Sequence, residues 1–218
     1  ARAQAAAEAD ALLCSNSSAL SVTGMARGLE RPERLVGAHF WNPAPVIPCV
    51  EIVRGEKTSD RSVDETWALV AAAGKEPVLV RREVPGFLGN RLQHALQREA
   101  LYLVEQGIAS PEDVDRVVKY GFGLRYALMG PLERADLGGL DVTYAVQQTV
   151  LSDLDNRTTP SDLLRRRVLA GELGVKSGRG FYEWTPEKKE RLQDRRDLAL
   201  LSIIRLARGL DTEQEPSQ

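Results

Sequence analysis

Over roughly the first 80 residues, short apolar runs alternate with segments of helical period, the pattern of an α/β sheet. The runs Ala11 to Cys14, Leu35 to His39, Val50 to Val53 and Pro77 to Val80 predict strands. Between them, Ser21 to Arg27 predicts a short helix. Asp60 to Ala73 predicts a longer one, with Val63, Trp67, Leu69, Val70 and Ala73 on its inner face and Gly74 ending it.

Beyond Pro85 the strand signals fade, and Leu88, Leu92, Leu96, Ala100 and Leu103 recur at three- and four-residue steps, predicting a helix over 86–105. Ser110-Pro111, Thr159-Pro160 and Thr185-Pro186 each offer a capping hydroxyl followed by a residue of preset φ. They place helix starts for 110–119, 160–170 and 186–208, and a further helix is expected over 131–155. The fold class is therefore α/β followed by all-α, with the division expected near residue 84: 1–83 in one domain and 84–218 in the other.

Composition narrows the function. The chain has 218 residues, 43% of them hydrophobic, enough for one large or two small cores. Its net charge of -2, from 29 basic and 31 acidic residues, supplies no broad field for nucleic acid or an acidic membrane. No apolar run approaches the roughly 20 residues of a membrane-spanning helix. Cys14 and Cys49 fall in separate strands that read as buried, so both are expected to be reduced packing residues of a cytoplasmic protein.

The candidate chemistry centres on His39-Phe40-Trp41-Asn42-Pro43, followed by Val50-Glu51. His39 ends a strand, where a side chain can project into the crevice beyond a sheet. Pro43, Pro45 and Pro48 stiffen the turn that brings the next strand back beside the first. A carboxylate facing one imidazole nitrogen would fix the tautomer and leave the other nitrogen to take a proton. Set against this, a histidine in an apolar strand is commonly a satisfied core residue, and Glu51 could face solvent on an alternating strand. No metal-ligand spacing is present, so no metal is expected.

These motifs stand in register with others: Ser15-Asn16-Ser17-Ser18, Pro85-Gly86-Phe87-Leu88-Gly89-Asn90-Arg91, Gly130-Pro131-Leu132, Asp136-Leu137, Gly139-Leu140-Asp141 and Lys176-Ser177-Gly178-Arg179-Gly180-Phe181-Tyr182. Together they resemble the L-3-hydroxyacyl-CoA dehydrogenases, in that family's order, from residue 10 to about 184. The resemblance implies hydride transfer between C3 of a hydroxy substrate and NAD. It implies His39 as general base, Glu51 as its orienting partner, Ser18 and Asn90 as groups holding the reacting oxygen, and Asn42 in the same pocket. Asn16 and Lys176 match positions on the nicotinamide-ribose side, and the helical domain is the family's dimer contact. Taken singly, Ser18 also fits a helix cap, Asn90 a surface amide and Lys176 a loop lysine.

A strand, a Gly-x-Gly-x-x-Gly turn and a helix, which would receive the pyrophosphate, are not found in these residues. The resemblance therefore corresponds to the C-terminal part of a Rossmann-type domain, truncated, followed by a complete helical domain. Substrate is less sharply marked. Val46-Ile47-Pro48 and Gly123-Leu124-Arg125-Tyr126-Ala127 are closer to the related L-gulonate 3-dehydrogenase and lambda-crystallin branch. There Arg125 could pair a free carboxylate or simply end a helix in solvent. A catalytically silent assembly module is the reading of a different class.

Overall fold

The computed structural model describes residues 6–8, 10–18 and 20–212 and comprises two compact units, Ala1–His94 and Ala95–Gln218. In the first, β1 (Leu13–Ser15), α1 (Val22–Ala26), a 3-10 turn (Pro32–Arg34), β2 (Leu35–Phe40), β3 (Cys49–Val53), α2 (Asp60–Ala72) and β4 (Glu76–Val80) follow in order. The strands form one sheet in the order β1-β2-β3-β4. It is mixed, with β1 parallel to β2, β2 antiparallel to β3 and β3 parallel to β4.

Strand alternation sorts the core into two layers. Val36 and Ile52 pack with Val63 of α2, and Ala38 and Val50 with Val70 of the same helix. On the opposite face Leu35, Val53 and Val80 join Val22 and Ala26 of α1, together with Phe87. Helix α1 lies close because β2 carries Gly37, where a Cβ would stand 2.8 Å from Val53 Cβ and 3.0 Å from Val22 Cγ2. His39 and Glu51 share the parity of Leu35 and Val53 and so belong to the α1 face.

Two expectations about this unit are corrected. The buried stripe of α2 is Ser62, Val63, Thr66 and Val70, whereas Trp67 is 42% exposed and Leu69 62% exposed. The helix thus turns a partly polar face inward, satisfied locally because Thr66 Oγ1 donates to the Ser62 carbonyl at 2.7 Å. Cys14 is exposed on β1 rather than buried, since β1 has a hydrogen-bonded neighbour only on the β2 side; Cys49 is half-buried, and both thiols are free.

Helix α3 (Gly89–Glu105) begins in the first unit. The second continues with α4 (Pro111–Tyr120), α5 (Phe122–Tyr126), α6 (Pro131–Gly138), α7 (Leu140–Val150), α8 (Asp162–Leu169) and α9 (Pro186–Thr212). The single helix expected over 131–155 is broken at Gly139, whose φ of 91° no helix accommodates. The cap of α8 is Ser161, accepting from Leu164 N–H at 3.1 Å, and not Thr159. Ser110 and Thr185 cap α4 and α9 as their positions before proline predict. Glu105 Oε1 accepts the Leu163 N–H at 2.9 Å and Oε2 receives Arg157 Nη1 at 2.6 Å, tying the 151–161 connector and the start of α8 to α3. No hydrophobic side chain beyond Phe87 is buried among the described residues.

Thr58 anchors the loop after β3. It is buried, its hydroxyl donates to the Leu35 carbonyl at 2.6 Å, and it accepts the Gly55 N–H at 3.0 Å. Thr58→Val keeps the shape and strands both partners, so unfolding in urea should show a loss of about 2–3 kcal/mol with an unchanged m-value.

Candidate active site

The antiparallel register of β2 and β3 sets His39 directly opposite Glu51. The 41–48 loop that allows this pairing is pinned by Lys75, whose Nζ donates to the carbonyls of Ala44 at 2.5 Å and Ile47 at 3.0 Å. Asn42-Pro43, within the loop, is a cis peptide. His39 is 5% exposed and Glu51 2%, so neither is a solvated strand residue.

The two side chains meet at 2.7 Å, His39 Nδ1 to Glu51 Oε2. A carboxylate only accepts, so Nδ1 carries the proton and Nε2 is the basic nitrogen. That nitrogen lies 2.9 Å from Ser18 Oγ, whose hydroxyl donates to it. Glu51 Oε1 accepts two backbone N–H groups, from Leu88 and Gly89, each at 2.9 Å. The imidazole is flanked by Trp41, with ring centroids 5.9 Å apart, and by Phe87, edge-on at 5.7 Å.

Ser18 is exposed, on the loop that leaves β1. The Asn90 side chain, one residue into α3, donates to the Ser18 carbonyl at 3.4 Å. Asn16 is exposed too, and its Oδ1 accepts the Phe40 N–H at 2.8 Å, which leaves its NH2 group available at the sheet's end. These contacts gather Ser18, His39, Glu51 and Asn90 into one cluster, with Asn16 two residues before Ser18. Asn42 is exposed and makes no hydrogen bond among the described residues. Arg125 lies in α5 and Lys176 in the turn after α8, both exposed in the second unit. Among the described residues no cluster of three or more metal-ligating side chains occurs.

Glu83 was not foreseen. Its carboxylate accepts the Val22 N–H, and the Thr23 N–H at 3.0 Å, fastening the β4–α3 connector to α1 just after the Ser18 loop. Burial raises its pKa, yet its bonds to Thr23, Val22 and Ser21 together outweigh that and leave it below the ordinary carboxylate range. The backbone donors of Leu88 and Gly89 were also unforeseen, and no residue type could have announced them.

At the end of β1 and β2 a histidine backed by a carboxylate thus stands beside hydroxyl and amide groups, an arrangement that can hold and move a proton. Residues 1–84 match the family model of the 3-hydroxyacyl-CoA dehydrogenase NAD binding domain, and residues 86–184 that of the 3-hydroxyacyl-CoA dehydrogenase C-terminal domain. The chain belongs to the 3-hydroxyacyl-CoA dehydrogenase family.

Among its relatives, a 5-formyl-3-hydroxy-2-methylpyridine 4-carboxylate 5-dehydrogenase of Mesorhizobium japonicum is 37% identical over 92% of this chain and 65% of its own length. A probable 3-hydroxybutyryl-CoA dehydrogenase of Bacillus subtilis is 42% identical over 79% of this chain and 59% of its own length. The chain thus spans less than two thirds of these curated relatives. A crystal structure of a dehydrogenase of the same pyridine compound, described as an NAD+ dependent dismutase, superposes with a TM-score of 0.90 at 37% identity, covering 92% of this chain and 65% of that one.

Glu83 makes a pH-dependent contribution to stability. Its folded pKa is depressed, so its contribution is complete above the unfolded value of about 4.3 and is lost as pH falls through the folded value. Melting temperatures recorded between pH 3 and 7 should fall less steeply at the acid end in Glu83→Gln, which should also melt lower at neutral pH.

Proposed function

We propose that this chain carries the proton-handling side of an NAD-linked dehydrogenase acting on the C3 hydroxyl of a 3-hydroxyacyl-CoA. The observation that carries the reading is the chain of contacts from the buried Glu51 Oε2 through His39 to Ser18 Oγ at the surface. NAD, when bound, accepts the hydride from the hydroxyl-bearing carbon. His39 Nε2 takes the hydroxyl proton as the carbon–oxygen double bond forms, and Glu51 supports the imidazolium that results. Ser18 Oγ donates to the reacting oxygen, with Asn90 as a second donor from α3. Asn42 shapes the pocket, and Asn16 and Lys176 are the candidate contacts on the cofactor side. The end of β1 and β2 would take the nicotinamide half of NAD, with the Asn16 amide NH2, which donates to no acceptor among the described residues, as one donor there.

A second reading has its own support: coverage of 92% and a TM-score of 0.90 against the pyridine-carboxylate enzyme. In that reading the substrate carries a free carboxylate, and Arg125 is its candidate partner through a two-point contact. A free hydroxy acid such as L-gulonate belongs to the same substrate class. We place the reaction in the cytoplasm, where two free thiols persist.

In full-length protein, His39→Gln should lower kcat about 100- to 10,000-fold while the circular dichroism spectrum is retained. Absorbance of NADH with acetoacetyl-CoA, with 5-formyl-3-hydroxy-2-methylpyridine 4-carboxylate and with L-gulonate separates the substrate readings. Unchanged turnover in His39→Gln would remove the histidine from the role of base.

We also infer a homodimer through the helical unit, which holds no buried hydrophobic side chain among its described residues yet exposes Leu132, Leu137, Leu140 and Tyr144. Light scattering should give twice the chain mass. Leu140→Glu combined with Tyr144→Glu, one turn apart on α7, should halve it; a monomeric unaltered protein would refute the inference.

A further inference from the structure

The turn between β4 and α3 has no role in the scheme above, yet it touches the acid/base pair at its buried end. Gly86 and Phe87 both take left-handed backbone angles, φ 79° and 50°. For glycine this is ordinary, but a phenylalanine there is rare. The Phe87 ring is held in the core with Val22, Leu35, Val53 and Val80, so packing can sustain the unfavourable angle. With the chain turned this way, the next two N–H groups converge on a single oxygen, Glu51 Oε1.

The first N–H groups of a helix lack intrahelical partners, and water would serve them as well. Here two converge on a carboxylate that is 2% exposed. The labour is divided between its oxygens, since Oε1 takes both amides and Oε2 takes the imidazole. The terminal torsion of a glutamate is otherwise soft. With both oxygens engaged, rotating the carboxylate would break three hydrogen bonds together. The approach of α3 is also gauged: a Cβ on Gly89 would collide with Cζ2 of the Trp41 indole, and Trp41 itself flanks His39.

We propose that the Leu88 and Gly89 amides, delivered by the left-handed Gly86-Phe87 turn and set at their distance by Trp41 against Gly89, are positioning groups that lock Glu51 against His39. The proposal rests on the reading of His39 as base. It adds that the orientation of the imidazole, and hence of Nε2, depends on the start of α3 and not on the carboxylate alone.

Replacing Leu88 by its α-hydroxy acid, leucic acid, turns the N–H into an ester oxygen and leaves the side chain in place. The same exchange at Leu92, whose N–H bonds the Leu88 carbonyl within α3, controls for the backbone change. In full-length protein the Leu88 ester should lower kcat about 100-fold relative to the Leu92 ester, as expected for a misplaced catalytic group, with KM for the substrate within about twofold. The proton resonance of His39 Nδ1–H should shift upfield or broaden as its bond to Glu51 loosens. Gly89→Ala should lower kcat likewise, and Gly89→Ala with Trp41→Phe should recover most of the loss, because the shorter ring vacates the space the methyl needs. A Leu88 ester with the kcat and Nδ1 proton resonance of the Leu92 control would overturn the clamp while His39→Gln stayed inactive. Activity in His39→Gln would instead overturn the underlying reading.

Discussion

A carboxylate placed in the middle of a sheet sets the terms for everything around it. Glu51 sits on β3 between Val50 and Ile52, and an unpaired charge there would cost several kcal/mol. The fold accommodates it by supplying each oxygen with a donor: the imidazole on one oxygen, two amides on the other. The donors come from two separate stretches of chain, so meeting this one requirement fixes the register of β2 on β3 and the path by which the chain leaves β4 and enters α3. The same requirement selects the histidine tautomer, because only Nδ1–H can serve the carboxylate and Nε2 is then left basic. Folding and chemistry are thus determined by one set of hydrogen bonds.

The polar partners that hold the neighbouring segments follow the same logic at lower stakes. Lys75 closes the proline-rich loop by reaching two carbonyls, and Glu83 holds the start of α1 by reaching two amides. Both are single side chains that satisfy backbone groups in segments with little regular structure of their own. Between them they fix the loops before Glu51 and after Ser18.

Much of this was legible in the residues. The strands stood out because apolar runs bounded by glycine and proline have few other solutions, and the twelve-residue step from His39 to Glu51 fits two antiparallel strands and a stiff loop. What escaped falls into physical classes. Donors supplied by the backbone, such as Leu88 and Gly89, leave no mark in residue identity. Phe87 looks like one more apolar position of a helix, and only its left-handed angle shows that the helix has not yet begun. Gly139 breaks a helix that periodicity would carry through. Trp67 and Leu69 have core chemistry but lie on the side of α2 that this chain leaves open, since hydrophobicity says that a side chain wants cover and not what provides it.

The cluster is unevenly firm, and the unevenness matches what each side must do. His39 and Glu51 are buried in a unit with its own apolar core, and their bonds are short and enclosed on both sides. Ser18 is an exposed residue held through its hydroxyl's bond to His39 Nε2, and Asn90 reaches its carbonyl across a long 3.4 Å contact. A proton acceptor gains from preorganisation because its direction of approach is the same for every hydroxyl it serves. Donors to the reacting oxygen, the role proposed for Ser18 and Asn90, must follow that oxygen as the rest of the substrate changes, and so gain from being adjustable. On the proposed reading, a rigid base beside a softer oxygen-binding side would let the second adjust while the first stays set, in a family whose relatives include a probable 3-hydroxybutyryl-CoA dehydrogenase and a pyridine 4-carboxylate 5-dehydrogenase. The carboxylate buried in β3 is the source of that firmness, because its three hydrogen bonds lie within the sheet and at the start of α3, whereas Ser18 meets His39 from an exposed loop.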